Sequence, residues 1–508
     1  MGFASGPAEY LLAVDLGAGS LRAALVGADG RIAALASRKL AAGRPRPGWV
    51  EIDPQRWWDA LRATTGRLLR DLPRSSRVAG VCVCGMTRSQ VLVDARGRTL
   101  GPAMLFHDAR AADEARAIAG DFPTDNPADA ISAFHPLARL AWVARHRPAR
   151  FARIAAVLEP KDFLNYRLTG AIAGDTVTHS RDRVPRATGR RARDAIDRCV
   201  ELLRPELRAP WEPVGVLVSR EAPFSRLTGI PVFAGTIDSW ASAVGSGAVL
   251  PGQAYDVAGT SEAVGLVIPR RVAVRGLVSL AWTERAHQVG GPTQAGADSA
   301  RWCHTTFRVR GALATAIERA GKAPTRAGRP LFLPWLAGER TPVWRSDVRG
   351  AFHLVGSDCE PDDFLRSVLE GVAIAVRDIL EHATGGSGVR ATELRASGGG
   401  ARSDVWCRIK ADVLGVPVVR STQAETGVVG AAIAAAVGLG LHRDVGTATR
   451  AMARIDRRFE PSRRLRAFYD DRAAAYRQAR ATALALADGS PPRPTPTRTP
   501  TPARRVAR

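Results

Sequence analysis

Short apolar runs alternate along the chain with polar turns and with longer stretches of helical spacing. Residues 10–26 read as an apolar strand, a glycine turn and a second apolar strand. Residues 78–93 repeat that style. Between them, Trp57, Leu61, Leu68, Leu69 and Leu72 recur at helical spacing, which predicts an amphipathic helix over 56–72. Residues 254–268 again read as strand, glycine turn and strand, and a strand at 231–234 runs into a glycine turn before Asp238. A short strand around Leu394 precedes three glycines and a helix over 405–414. The longest apolar run, 428–441, is shorter than the ~18 residues a membrane span needs, and reads as a buried helix. Strands and helices in alternation predict an α/β architecture. A boundary is expected near 249–252, where an Ala- and Gly-rich run ends in Leu250-Pro251-Gly252. From Gly489 onward, repeated Thr-Pro and Arg without apolar periodicity predict a disordered tail.

Composition narrows the class. With 508 residues, 45% hydrophobic and 24% charged, the chain is globular, and its length fits two or three domains at roughly 150 residues each. The net charge of +24 invites a nucleic-acid reading. Only four basic residues are lysines, however, and the arginines are scattered without interleaved aromatics. A solvated basic surface is the plainer account. Six cysteines form no CxxC pair, and no secretory leader pattern is present. The expectation is a reduced, cytoplasmic protein with no membrane segment.

The chemistry lies in the turns. Asp15-Leu16-Gly17-Ala18-Gly19-Ser20 and Asp256-Val257-Ala258-Gly259-Thr260-Ser261 share a spacing and sit at equivalent places in the two halves. One such turn only reverses the chain. Two, facing each other, could offer N–H groups and hydroxyls to one phosphate chain. No GxxxxGK[ST], GxSxG, HExxH or EF-hand loop occurs. Gly398-Gly399-Gly400 before a helix would let a base or phosphate approach the backbone, or would simply turn the chain. Asp238 opens a small-residue helix; it reads either as an N-terminal cap or as a general base for a hydroxyl.

In order, the blocks DLGAGSLRAAL, GMTRSQVLVDARGRTLGPAMLFHDARA, EPKDFLNYRLTG, GTIDSWASAVGSGAV, DVAGTSEAVGLV, FLPWLAGERTPVWRSDVRGAF, VLEGVAIAVRDILE and SGGGARSDVWCRIKADVLGVPV resemble the FGGY family of carbohydrate kinases. The resemblance covers about residues 9–480. It implies two actin/hexokinase-like (ribonuclease H-like) α/β domains, 9–248 and 249–480, with a cleft between them, and leaves out the disordered basic tail at 487–508 that the composition predicts. It further implies transfer of the ATP γ-phosphoryl group to a sugar hydroxyl, with a pentulose, an aldonate or a polyol as acceptor. Asp238 matches the catalytic base and Asp15 the carboxylate that helps hold Mg2+. Gly17, Gly19, Ser20 and Arg22 match one phosphate loop, and Gly259, Thr260 and Ser261 the other. Gly399, Gly400 and Ser403 match the adenosine turn, while Glu425 and Gly430 lie behind it, where a structural role is as well supported.

Substrate contacts are expected from Thr87, Arg88, Asp108 and Arg110, with Asp238. Two departures stand out. The family's first loop reads close to Gly-Thr-Thr-Ser, so Ala18 and Gly19 lack two hydroxyls; a catalytically weak or inactive sugar- or nucleotide-binding protein is the alternative. Arg88 replaces the histidine of the xylulose-kinase signature. Its fixed charge would favour an acidic sugar or several hydroxyls, or it pairs with Asp108. The partners implied are a sugar and ATP, with no specific nucleic acid, no membrane, and a homodimer left open.

Overall fold

The computed structural model describes residues 9–180, 193–283, 285–323, 325 and 329–489. The tail expected beyond Gly489 lies outside them. The first apolar run folds as β1 (Glu9–Leu16), β2 (Ser20–Gly27) and β3 (Ile32–Lys39), an antiparallel meander. Every position of β1 after Glu9 is buried, as a strand covered on both faces requires. Helix α1 (Gln55–Arg70) packs Trp57, Trp58, Leu61, Leu68 and Leu69 into the core on one face. β4 (Arg77–Gly85), β5 (Pro213–Val216) and β6 (Pro231–Phe233) complete a sheet of order β5-β6-β4-β1-β2-β3. β4 runs parallel to β1, β6 parallel to β4, and β5 antiparallel at the edge. Helix α2 (Asp238–Gly245) follows β6.

One expectation needs correction here. The second strand of 78–93 does not return along the first: Val91–Val93 pairs instead with Ala156–Leu158. The reason is local. Glu159 accepts the N–H groups of Arg88 and Ser89 at 3.0 and 3.1 Å, and Arg88 sits at φ +56°. The chain is thereby turned out of the sheet.

The second half holds β7 (Gln253–Ala258), β8 (Glu262–Ile268), β9 (Val278–Ala281) and β10 (His287–Pro292). Helices α3 (Ala297–Thr306) and α4 (Pro361–Ser387), strand β11 (Glu393–Ser397) and helix α5 (Asp404–Leu414) follow. Strand β12 (Val418–Ser421), helix α6 (Thr426–Gly438) and strand β13 (Ile455–Phe459) complete it. Their sheet order is β9-β10-β8-β7-β11-β12-β13. Apart from the extra edge strand β9, this repeats the first sheet strand for strand, including the parallel core and the antiparallel final edge.

The repeat also pairs the helices. α2 follows β6 as α6 follows β12, and the two cross in direct backbone contact. A Cβ at Gly245 would run into the Thr426 carbonyl, and one at Gly430 into the Ala241 carbonyl. α6 is buried all round from Thr426 to Ala436, as an all-apolar helix must be. The crossing sets the end of α2 against the start of α6, where Gly427 lies against Asp15, and beside it lies the candidate site.

Candidate active site

β1 delivers Asp15 to the carboxyl end of the first sheet, where its side chain lies against the start of α6; a Cβ at Gly427 would come within 2.6 Å of Asp15 Oδ2. Asp238 opens α2 and accepts the Ser239 N–H at 2.7 Å. Among the described residues its carboxylate meets no cation. Burial pushes the Asp238 pKa up to about 6. Asp15 is pushed up to about 7, first by burial and then by the Asp238 charge, against the pull of Arg22. The two acids therefore share one poorly solvated space.

The Asp238 turn is braced from below. Gly235 stands at φ +62°, and a Cβ there would strike the Val83 carbonyl, so only glycine fits. Thr236 Oγ1 donates to Asp175 at 2.7 Å, and Asp175 also takes Lys161 Nζ at 2.9 Å. Lys161 further meets Asp162 at 2.5 Å and the Ala234 carbonyl at 3.3 Å. Burial alone would discharge Lys161, but Asp162 and Asp175 hold it charged.

The predicted nucleotide residues form a connected series. Gly17 N–H closes the first turn on the Ser20 carbonyl at 3.0 Å, and a Cβ at Gly19 would meet nothing within 4 Å. Arg22 pairs with Asp15 at 3.4 Å and, across the lobes, with Glu425 at 2.9 Å. Glu425 in turn lies 3.8 Å from Arg402, in the third turn. Gly398 and Gly400 of that turn press on Ala258, which leads into Gly259, Thr260 and Ser261. Gly399 faces open space, and Thr260 is exposed. Ser403 is committed to the protein: it caps α5 through the Trp406 N–H and donates to Glu318 at 3.1 Å. Under the second turn, Lys410 is clamped by Asp256 and, at 2.6 Å, by Glu262. This duplicates the lysine brace of the first lobe.

Of the predicted substrate residues, Thr87 and Arg88 lie beside the acids. Met86 N–H donates to the Leu16 carbonyl at 2.8 Å, and Gly85 N–H to the Thr236 carbonyl at 3.0 Å. The turn is thus tied to both carboxylate-bearing segments, and Thr87 Oγ1 is buried without a partner among the described residues. Asp108 and Arg110 are drawn elsewhere. Asp108, fully buried, accepts the Val50 N–H at 2.6 Å, the Arg110 N–H at 3.1 Å, Arg110 Nε at 2.8 Å and Arg110 Nη2 at 2.7 Å. Arg110 also reaches Glu51 at 2.9 Å and stacks on Trp49. An acceptor so occupied gives no support to the expectation that Asp108 takes sugar hydroxyls, and among the described residues its ion-pair partner is Arg110, not Arg88.

Sequence reading missed Lys161, Asp175, Glu159, Lys410 and Glu262. One signal was available for the lysines. In a chain with four lysines among 73 basic residues, two lysines are almost fully buried and each sits behind a candidate turn. A compact ammonium fits where a planar guanidinium does not.

Models of the FGGY family of carbohydrate kinases match this chain twice, the N-terminal domain over residues 10–245 and the C-terminal domain over 254–439. Xylulose kinase of Escherichia coli strain K12 is 30% identical over 428 residues, covering 82% of this chain and 87% of that one. The chain belongs to the FGGY family. Xylulose kinase of Staphylococcus epidermidis is 27% identical over 487 residues, covering 92% and 96% of the two chains. A crystal structure of a "xyloylose kinase" from Brucella ovis superposes with a TM-score of 0.85 at 28% identity, covering 94% of this chain and all of that one. This FGGY protein is an ATP-dependent carbohydrate kinase built from two actin/hexokinase-like lobes. No described helix is long and apolar enough to cross a membrane.

A kinase of this family uses ATP, typically with a divalent metal, and oxygen donors are what such an ion takes. Asp15 offers the carboxylate oxygen for it, and no cluster of three candidate ligands occurs among the described residues.

Proposed function

We propose that this kinase phosphorylates a small ketose of the xylulose type in the cleft at Asp15 and Asp238, with aldonates and polyols as the other acceptors to test. The observation that carries the reading is Asp238. It is half-buried, free of any cation among the described residues, poised near neutral pH, and set beside the turn that holds Thr87 and Arg88.

The chemistry follows from that placement. The Asp238 carboxylate takes the proton of the attacking hydroxyl. The sugar oxygen bonds to the γ-phosphorus as the bond from that phosphorus to the bridging oxygen breaks, and the electron pair leaves with ADP. Turn N–H groups with Thr260 and Ser20 hold the phosphates, and the open backbone at Gly399 leaves room for the base. Asp15 would hold magnesium, which, when bound, neutralises charge on the transferring oxygens. Closure of the lobes would keep water from taking the phosphoryl group. The relatives named xylulose kinase support the ketose class.

ADP release measured over ketopentoses, aldonates and polyols tests the substrate. Asp238→Asn should lower kcat about 10²–10⁴-fold with ADP affinity retained. Undiminished turnover would remove the base assignment. A second reading, a weak phosphotransferase that mainly binds sugar and nucleotide, draws on the missing hydroxyls at Ala18 and Gly19; binding of both ligands without ADP release would favour it.

A further inference from the structure

Triphosphate brings several negative charges to the second turn, so the cations there decide how they are met. Arg22 is ion-paired with Asp15 and Glu425. Arg402 leans on Glu425. Lys410 is saturated by Asp256 and Glu262. Arg340 differs. It lies 79 residues along the chain from Ser261, yet its Nη2 donates to Ser261 Oγ at 3.3 Å and to the Thr293 carbonyl at 2.8 Å. It is part-buried, and its Nε–H is shut off from solvent without a partner among the described residues. No carboxylate forms an ion pair with it there. The adjacent Glu339 is committed to Thr293 Oγ1 at 2.8 Å and to the N–H groups of Gln294 and Arg340 at 2.6 and 2.7 Å.

The helix beside this turn cannot supply the missing charge. The first N–H groups of α3, at Ala297 and Asp298, already donate to the Gly259 and Thr260 carbonyls at 3.1 Å each. Glu339 lends Arg340 some charge support without reaching its guanidinium, and burial still weighs against the cation. A part-buried guanidinium hydrogen-bonded only to neutral groups is costly unless an anion joins it, and its planar fork matches phosphate geometry.

We infer that Arg340 is a catalytic residue that binds the γ-phosphoryl group during transfer. The inference rests on the kinase reading above. As the sugar oxygen bonds to the γ-phosphorus, the bridging bond breaks and the proton passes to Asp238. Arg340 stabilises the charge spread over the three equatorial oxygens and exchanges no proton.

The test compares the full chain with Arg340→Gln and Arg340→Lys. Calorimetry reads affinity for ADP and for a non-hydrolysable ATP analogue, kinetics reads kcat and KM, and thermal unfolding checks the fold. Arg340→Gln should lower kcat at least about 100-fold and weaken the ATP analogue by tenfold or more, with ADP affinity within threefold of wild type. Arg340→Lys should recover part of the loss. Equal loss of ADP and analogue binding, or kcat within threefold of wild type, would overturn the assignment. If the wild-type chain releases no ADP with any sugar, the kinase reading fails; the preference of Arg340 for a nucleotide bearing a γ-phosphate is still decided by the calorimetry.

Discussion

As the proposed base, Asp238 must shed a proton before it can accept one from a hydroxyl. With its pKa at about 6, kcat/KM for the sugar should fall tenfold per pH unit below about pH 6, and a profile flat down to pH 5 would contradict the assignment. Asp15 carries a different consequence. Its pKa stands at about 7 when folded, against 3.8 ordinarily. Below the ordinary value both states are protonated and the residue costs nothing. Between the two values the unfolded chain releases a proton that the folded one keeps, so stability falls as pH rises, and above about 7 the full penalty applies. Asp15→Asn removes that penalty. Without nucleotide, its calorimetric unfolding midpoint should exceed that of wild type at pH 8 and converge on it near pH 4, while turnover is lost. The carboxylate proposed to hold the metal thus weakens the empty protein. Arg22 keeps Glu425 in either case.

Glycines show at the level of elements which turns exist for folding and which for a ligand. Gly430 has a folding reason, since α2 and α6 touch backbone to backbone and a Cβ there meets the Ala241 carbonyl. Gly430→Ala should cost about 1–3 kcal/mol in chemical unfolding. Gly399 has none: its φ is −64° and nothing lies within 4 Å of its Cβ position. Gly399→Ala should leave stability within about 0.5 kcal/mol yet raise the KM for ATP. Normal KM in that variant would mean the turn only reverses the chain. The lysine braces belong to this scale too. Each couples a strand, a helix and a turn that lie far apart in sequence, which is why spacing did not reveal them.

Beyond the α2–α6 crossing and the apolar core around it, a few polar contacts join the two lobes. Asn126 of the first lobe accepts the Gly276 N–H at 2.8 Å and donates to the Leu277 carbonyl at 2.9 Å. Arg454 of the second lobe pairs with Asp29 of the first at 2.7 Å, and Arg22 with Glu425 at 2.9 Å. Two hydrogen bonds at roughly 1 kcal/mol each set the scale for closure. Asn126→Ala should therefore widen the ligand-free particle in X-ray scattering and raise the KM for sugar about tenfold, with kcat near wild type. An unchanged scattering profile and KM would show that the clamp does not govern closure. The basic surplus also looks different at this scale. Arg366, Arg377, Arg420 and Arg472 are all engaged by acids of the same chain, so much of the arginine holds elements together.

The apolar runs, their periods and the glycine turns were enough to place the strands around Asp15 and Asp256, the buried helix and the acid opening α2. Each of these depends on neighbours a few residues away, where pattern reports conformation directly. Which partner a buried charge would find was settled only by packing. Asp108 turns to Val50 and Arg110, Lys161 bridges Asp162 and Asp175, and Arg340 comes to rest at Ser261. Desolvation makes such pairings obligatory, but topology chooses among many carboxylates and carbonyls of equal chemistry, and that choice is made between segments tens to hundreds of residues apart.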